Sequence, residues 1–145
     1  MKKSFDVSTL KLSRPVFLVE GSVMVDYSEN TITAKALFPS SDPSLADRKD
    51  GHVNLQHFDA LGSNLFHALV AATRGGTTKT VRVVSIEGAE FFNEVKQDVQ
   101  IDAILTYVPA ATGYSFKGKP LYAGFFSASV EGKELFRYNY RVVMW

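Results

Sequence analysis

The stretch "NLQHFDALGSNLFHALVAA" (residues 54–72) decides how the rest of the chain must fold. Leu55, Phe58, Gly62, Leu65, Leu69 and Ala72 recur at steps of three and four, and Leu61 and Ala68 widen the stripe into the apolar face of a helix. Asn54 can cap its start, and "RGG" (74–76) offers a basic last turn followed by glycine for the C-cap. The spacing predicts one helix over 55–72, about 27 Å long at about 1.5 Å per residue. It is the one strong helical signal in the chain.

The flanking segments have the other period. Residues 15–38 are rich in β-branched and aromatic side chains and are broken by "DYSEN" (26–30), which reads as a hairpin turn. "PSSDPSLADRKDG" (39–51) has two prolines and no period, so a surface loop is expected there. In "VKQDVQIDAILTYV" (95–108) apolar and polar residues alternate as in a half-buried strand. After the turn-prone "PAATGYSFKGKP" (109–120), two further strand-like runs flank Glu131-Gly132, a natural hairpin turn. The order is two strands, one buried helix, then three or four long antiparallel strands.

Bulk properties narrow the function. A chain of 145 residues suits one domain spanning 1–145. The composition, 46% hydrophobic and 21% charged, is that of a soluble globular protein, and no window reaches the apolar length of a membrane span. With 16 basic against 15 acidic residues there is no general field to hold a nucleic-acid backbone. Cysteine is absent, which excludes disulfides, thiolate nucleophiles and thiolate metal sites. The start, "MKKSFDVSTLKLSRP" (1–15), has no apolar run after its lysines, so a cytoplasmic location is expected. "RGGTTKT" (74–80) lacks the spacing of a phosphate loop. His52, His57 and Asp59 are close in sequence, but His57 and Asp59 diverge on a helix, so no metal site is expected.

One helix of five turns can cover a strongly curved sheet only if the sheet wraps around it. That α+β order resembles the hotdog fold, an antiparallel sheet wrapped about a central helix. "GHVN" (51–54), running straight into the helix, resembles the "GHVN" of hydroxybenzoyl-CoA-type hotdog thioesterases and the "GHFN" of the fatty acyl-CoA thioesterase branch. A second resemblance is to the 3-hydroxyacyl-carrier-protein dehydratases, in which a "GH" precedes the helix and an acid on the helix completes the site. Here these would be Gly51-His52 and the Asp59 of "FDAL" (58–61). The chain departs from both patterns: Arg48 stands where the hydroxybenzoyl type carries aspartate, and only six residues separate His52 from Asp59.

The resemblance implies acyl-thioester chemistry. Hydrolysis needs an activated water and donors aimed at the carbonyl oxygen, and a helix amino end supplies backbone N–H groups and the positive end of the dipole. The implied catalytic residues are His52, Asn54 and Asp59, with Gly51, Val53, Leu55 and Gln56 around the bound carbonyl and Asp47 or Asp50 as other candidate bases. For dehydration, His52 would be the base and Asp59 the acid, from different subunits. The third possibility is a hotdog protein that binds an acyl chain or scaffolds a partner without catalysis. No cofactor is implied. The implied partners are an acyl-CoA or acyl-carrier-protein substrate and a second copy of the chain, as a homodimer or dimers assembled into a tetramer or hexamer.

Plain structural readings stand beside these. Asn54 can be an N-cap alone, Asp59 can simply favour the helix dipole, and Ser63 and His67 can face water. His57 is expected on the helix surface. Arg74, Lys79, Arg82, Lys117 and Lys119 are candidates for coenzyme A phosphates or for a carrier protein, or are ordinary solvated surface. Some of the eleven phenylalanines would line an acyl tunnel, while core packing explains most of them.

Overall fold

The computed structural model describes residues 2–12, 14–46, 53–73, 81–109 and 115–144. Its elements are β1 (Lys2–Ser4), β2 (Met24–Asp26), β3 (Thr31–Ala36), the one-turn α1 (Pro43–Ala46), α2 (Leu55–Thr73) and β4 (Val81–Phe91). They continue through β5 (Ile101–Pro109), β6 (Ser115–Phe116), β7 (Lys119–Val130) and β8 (Lys133–Met144). Seven strands follow one path in the order β1, β2, β3, β5, β7, β8, β4, and β6 pairs with β7 beside it. Every pairing is antiparallel.

Because α2 lies between β3 and β4 in sequence, and three strands separate those two in the sheet, a flat sheet would leave one of them out of reach. The helix nevertheless touches β3, β5 and β4, so the sheet curves around it. Alternation along the strands feeds this core: Ala103, Leu105 and Tyr107 of β5 are buried while Ile104 and Val108 are exposed. From the helix, Phe58, Leu61, Leu65, Phe66 and Leu69 are fully buried, each contributing about 1.5–3 kcal/mol of transfer free energy. The predicted Glu131-Gly132 turn joins β7 to β8, with both residues at positive φ (50° and 77°) as a two-residue hairpin turn needs.

Three expectations change. The alternating run 95–108 enters the sheet only at Ile101; before it, Asp98 adopts φ 61°, and its N–H donates to the Phe38 carbonyl at 2.9 Å. Its Oδ1 accepts the Ser40 N–H at 2.9 Å, so local turn chemistry overrides the alternation. Residues 15–23 hold only an isolated bridge, Leu18 to Ala36, so the first hairpin is short. The expected loop 39–51 contains α1, where Asp42 Oδ1 accepts the Ser44 N–H at 2.9 Å. The helix itself begins as predicted and ends at Thr73, one residue late. The proposed C-cap glycines lie outside the described residues.

Helix and sheet are seated by two tyrosines of β8. Tyr138 Oη donates to the Phe58 carbonyl at 3.3 Å and Tyr140 Oη to the Gly62 carbonyl at 3.0 Å, and the two rings are stacked 5.1 Å apart. This approach requires glycine at 62, because a Cβ there would collide with Tyr138 Oη and lie 3.2 Å from Cζ. Gly62→Ala is therefore expected to destabilise the protein by about 1–3 kcal/mol despite alanine's better helix propensity. Tyr138→Phe should cost about 1 kcal/mol alone. In urea titrations the double variant should lose less than the sum of the two, since removing Oη opens the space that the new methyl group would enter.

Candidate functional site

The amino end of α2 is closed by two side chains acting reciprocally. Asn54 is the N-cap: its Oδ1 accepts the Gln56 N–H at 3.0 Å, and its carbonyl accepts the His57 N–H at 3.1 Å. In return the Asn54 N–H donates to His57 Nδ1 at 3.0 Å, so a histidine at the third helical position takes the part that Glu or Gln plays in a capping box. His57 Nε2 lies 3.3 Å from the Ser44 carbonyl in α1. The Leu55 N–H finds no acceptor among the described residues.

His57 is not on the surface as expected but 4% exposed, with its ring edge-on to Phe17 and Phe38 at 6.1 and 6.2 Å. The apolar period misplaces it because an imidazole satisfied on both nitrogens buries like an aromatic ring. Of the predicted binding residues, Val53 is buried, Asn54 half-buried, and Leu55 and Gln56 exposed. Gly51, His52 and the alternative acids Asp47 and Asp50 lie outside the described residues, as do Arg74 and Lys79.

One turn into the helix stands Asp59. Leu55, Asp59, Ser63 and His67 follow at intervals of four and so form one row along α2. Leu55 is exposed and the other three are half-buried, so this row faces away from the enclosing sheet without being fully solvated. Ser63 stands one turn further along the row and lowers the Asp59 pKa somewhat, yet Asp59 Oδ1 is buried and has no partner among the described residues. Burial raises the Asp59 pKa above the ordinary 3.8, and Ser63 offsets this only in part.

The phenols behind Asp59 respond to it. Tyr138 is held well above the usual phenol range, by burial first and by the Asp59 charge second, and Tyr140 by burial, Tyr138 and Asp59 in that order. Both hydroxyls are engaged by helix carbonyls, so they leave the carboxylate oxygen unpaired. Desolvation lowers the pKa of His67 and so favours its neutral form. Ser63, which from sequence can face water, is half-buried and bears on the Asp59 carboxyl; the four-residue spacing was the available signal. An aromatic layer adjoins the site: Phe58 stacks on Phe136 at 4.3 Å, and the half-exposed Phe91 lies 5.8 Å from Phe58. Of the basic candidates, Lys117 is exposed and Lys119 half-buried, both near the β6–β7 turn.

This arrangement of one curved antiparallel sheet around a central helix is the hotdog fold. It is similar to a candidate thioesterase, the phenylacetic acid degradation-related protein of Ralstonia eutropha (13% identity, 82% of this chain and 80% of that one, TM-score 0.56). It is similar also to the dehydratase heterocomplex ApeI:P of Xenorhabdus doucetiae (13% identity, 91% and 85%, TM-score 0.62). A third likeness is to the uncharacterized protein PH1136 of Pyrococcus horikoshii (12% identity, 99% and 95%, TM-score 0.64). No protein-family model and no curated protein matches the sequence. At these identities the likeness establishes the fold.

The raised Asp59 pKa has a stability consequence with a definite sign. A carboxyl whose folded pKa exceeds its unfolded value favours the folded state when protonated and opposes it when charged, so the cost is present at pH 7. Asp59→Asn is expected to melt at a higher temperature than the wild type at pH 7. That advantage should shrink as the pH falls through the folded pKa of Asp59, which thermal melts at about pH 7 and about pH 4 would compare.

Proposed function

We propose that this protein is an acyl-thioester hydrolase acting on acyl-CoA or acyl-carrier-protein substrates, with residues 1–145 forming one hotdog domain. A single observation carries the reading: a half-buried carboxylate with an unpaired oxygen stands one turn along the same row from the Leu55 N–H, which has no acceptor among the described residues. A thioester carbonyl received at the Leu55 N–H would be polarised by that donor and by the positive end of the α2 dipole. Asp59 takes a proton from a water held beside Ser63 as the water oxygen attacks the carbonyl carbon. The tetrahedral adduct collapses with cleavage of the C–S bond, and the thiolate leaves to be protonated from solvent or from His52. Asn54 acts through the helix, since its Oδ1 is committed to the cap. Gly51, Val53 and Gln56 flank the carbonyl in this scheme.

The second reading is dehydration of a 3-hydroxyacyl thioester, with His52 as base and Asp59 as the acid that protonates the departing hydroxyl. The raised pKa of Asp59 favours it, because a carboxyl that holds its proton more tightly is a better donor near neutral pH. The likeness in fold to the Xenorhabdus dehydratase complex supports it equally. An acyl-binding hotdog without turnover is the remaining alternative.

A second copy of the chain is the proposed partner, met along β4. That strand is the long edge of the sheet, eleven residues paired only to β8 among the described residues, and such an edge presents a row of free backbone groups. No helix among the described residues is long and apolar enough to cross a membrane, and the cytoplasm is the proposed compartment.

Thiol release from a panel of acyl-CoAs, run beside loss of water from a 3-hydroxyacyl thioester followed at the enoyl absorbance, separates the readings. Hydrolysis predicts thiol release that falls about 10²–10⁴-fold in Asp59→Asn and about tenfold in Ser63→Ala. Wild-type turnover in Asp59→Asn would remove Asp59 from the mechanism. Tight retention of acyl ligand with neither reaction would favour the binding alternative.

A further inference from the structure

His57 is buried, aromatic in its packing and polar in its bonding, and neither hydrolysis nor dehydration as drawn gives it a role. Its two nitrogens do different things. Nδ1 accepts the Asn54 N–H at 3.0 Å, which requires that it carry no proton. The ring proton therefore sits on Nε2, where the Ser44 carbonyl lies 3.3 Å away as its acceptor. One neutral imidazole thus joins α1 to the chain where it enters α2, and both contacts select the same tautomer.

We infer that His57 is a positioning residue for the thioester site: its neutral ring holds the amino end of α2 against α1 and so sets where the Leu55 N–H points. The inference rests on the thioester reading for its functional half and on geometry alone for its structural half. With the donors of Asn54, Gln56, His57 and Phe58 all engaged at the cap, Leu55 is the donor that the cap leaves over. Any loosening of the cap changes that inventory directly. Rings of Phe17 and Phe38 on the sheet side prevent His57 from swinging away to other partners.

Protonation breaks the arrangement. An imidazolium carries protons on both nitrogens, so Nδ1–H would face the Asn54 N–H, two donors with nothing between them. Among the described residues Asp42 interacts with the ring, its pKa lowered chiefly by its bonds to Ser44 and to a smaller extent by His57. Phe17 and Phe38, from the segment before β2 and the residues after β3, bring no charge.

The test compares His57→Gln with His57→Leu. Glutamine can accept the Asn54 N–H as it does in an ordinary capping box but does not titrate; leucine fills the apolar walls and accepts nothing. The Asn54 amide proton, followed by NMR hydrogen exchange at about pH 7, should be protected in the wild type and in His57→Gln and lose that protection in His57→Leu. In His57→Leu, kcat for thiol release should fall about tenfold with KM changed less than about threefold, and His57→Gln should recover most of that loss. A helix end indifferent to the ring, or equal turnover in His57→Leu and wild type, overturns the inference. If the Asn54 amide follows the ring while no acyl thioester is turned over, the tie stands and the thioester reading fails. Normal turnover with an indifferent amide overturns the tie and leaves the thioester reading in place.

Discussion

The seating of one helix on the two tyrosines of β8 governs the rest of this structure. Tyr138 and Tyr140 direct their hydroxyls to the carbonyls of Phe58 and Gly62, and the missing side chain at Gly62 lets the helix descend onto them. These bonds fix the rotation of α2 about its axis as well as its height. A helix rotated otherwise would put Asp59 into the phenylalanine layer or out into water. As it stands, the row of Leu55, Asp59, Ser63 and His67 lies at the margin of the core, where a half-buried carboxylate is desolvated enough to shift its pKa.

The amino end of α2 depends on the same logic of satisfied polar groups. A capped helix normally hides its first donors, and here Asn54 and His57 account for all but that of Leu55. Among the described residues the Leu55 N–H and Asp59 Oδ1 both lack a partner, and the two residues are one turn apart along α2. In a protein interior each unpaired polar atom is costly, about 1–3 kcal/mol where it is fully buried. That cost falls on the buried Asp59 Oδ1, whereas Leu55 is exposed at the helix end.

Much of the fold was legible because it rests on local periodicity. The three-and-four spacing from Leu55 located α2 to within one residue, and Glu131-Gly132 announced the β7–β8 hairpin through the positive φ that such a turn needs. Where long-range bonds compete with local pattern, the reading failed. Val95 and Val99 fall in phase with Ile101 and Ala103 as one strand would require, but Asp98 and Ser40 bind one another across the loops and hold 95–100 out of the sheet. Asp59 was legible as a candidate, while its unpaired oxygen and the influence of Ser63 depend on what surrounds it.

By itself the sequence determined the central helix, the wrapping it forces on the sheet and the turn between the last two strands, since all of these follow from residue spacing within a few turns. Only the tertiary structure decided which polar residues of that helix are withdrawn from water. His57, placed on the surface by its position in the helical pattern, is a buried clamp because Phe17, Phe38 and Ser44 arrive around it from elsewhere in the chain. Burial is a property of the whole assembly of elements, and the helical period specifies only direction; what stands in that direction comes from residues far away in sequence.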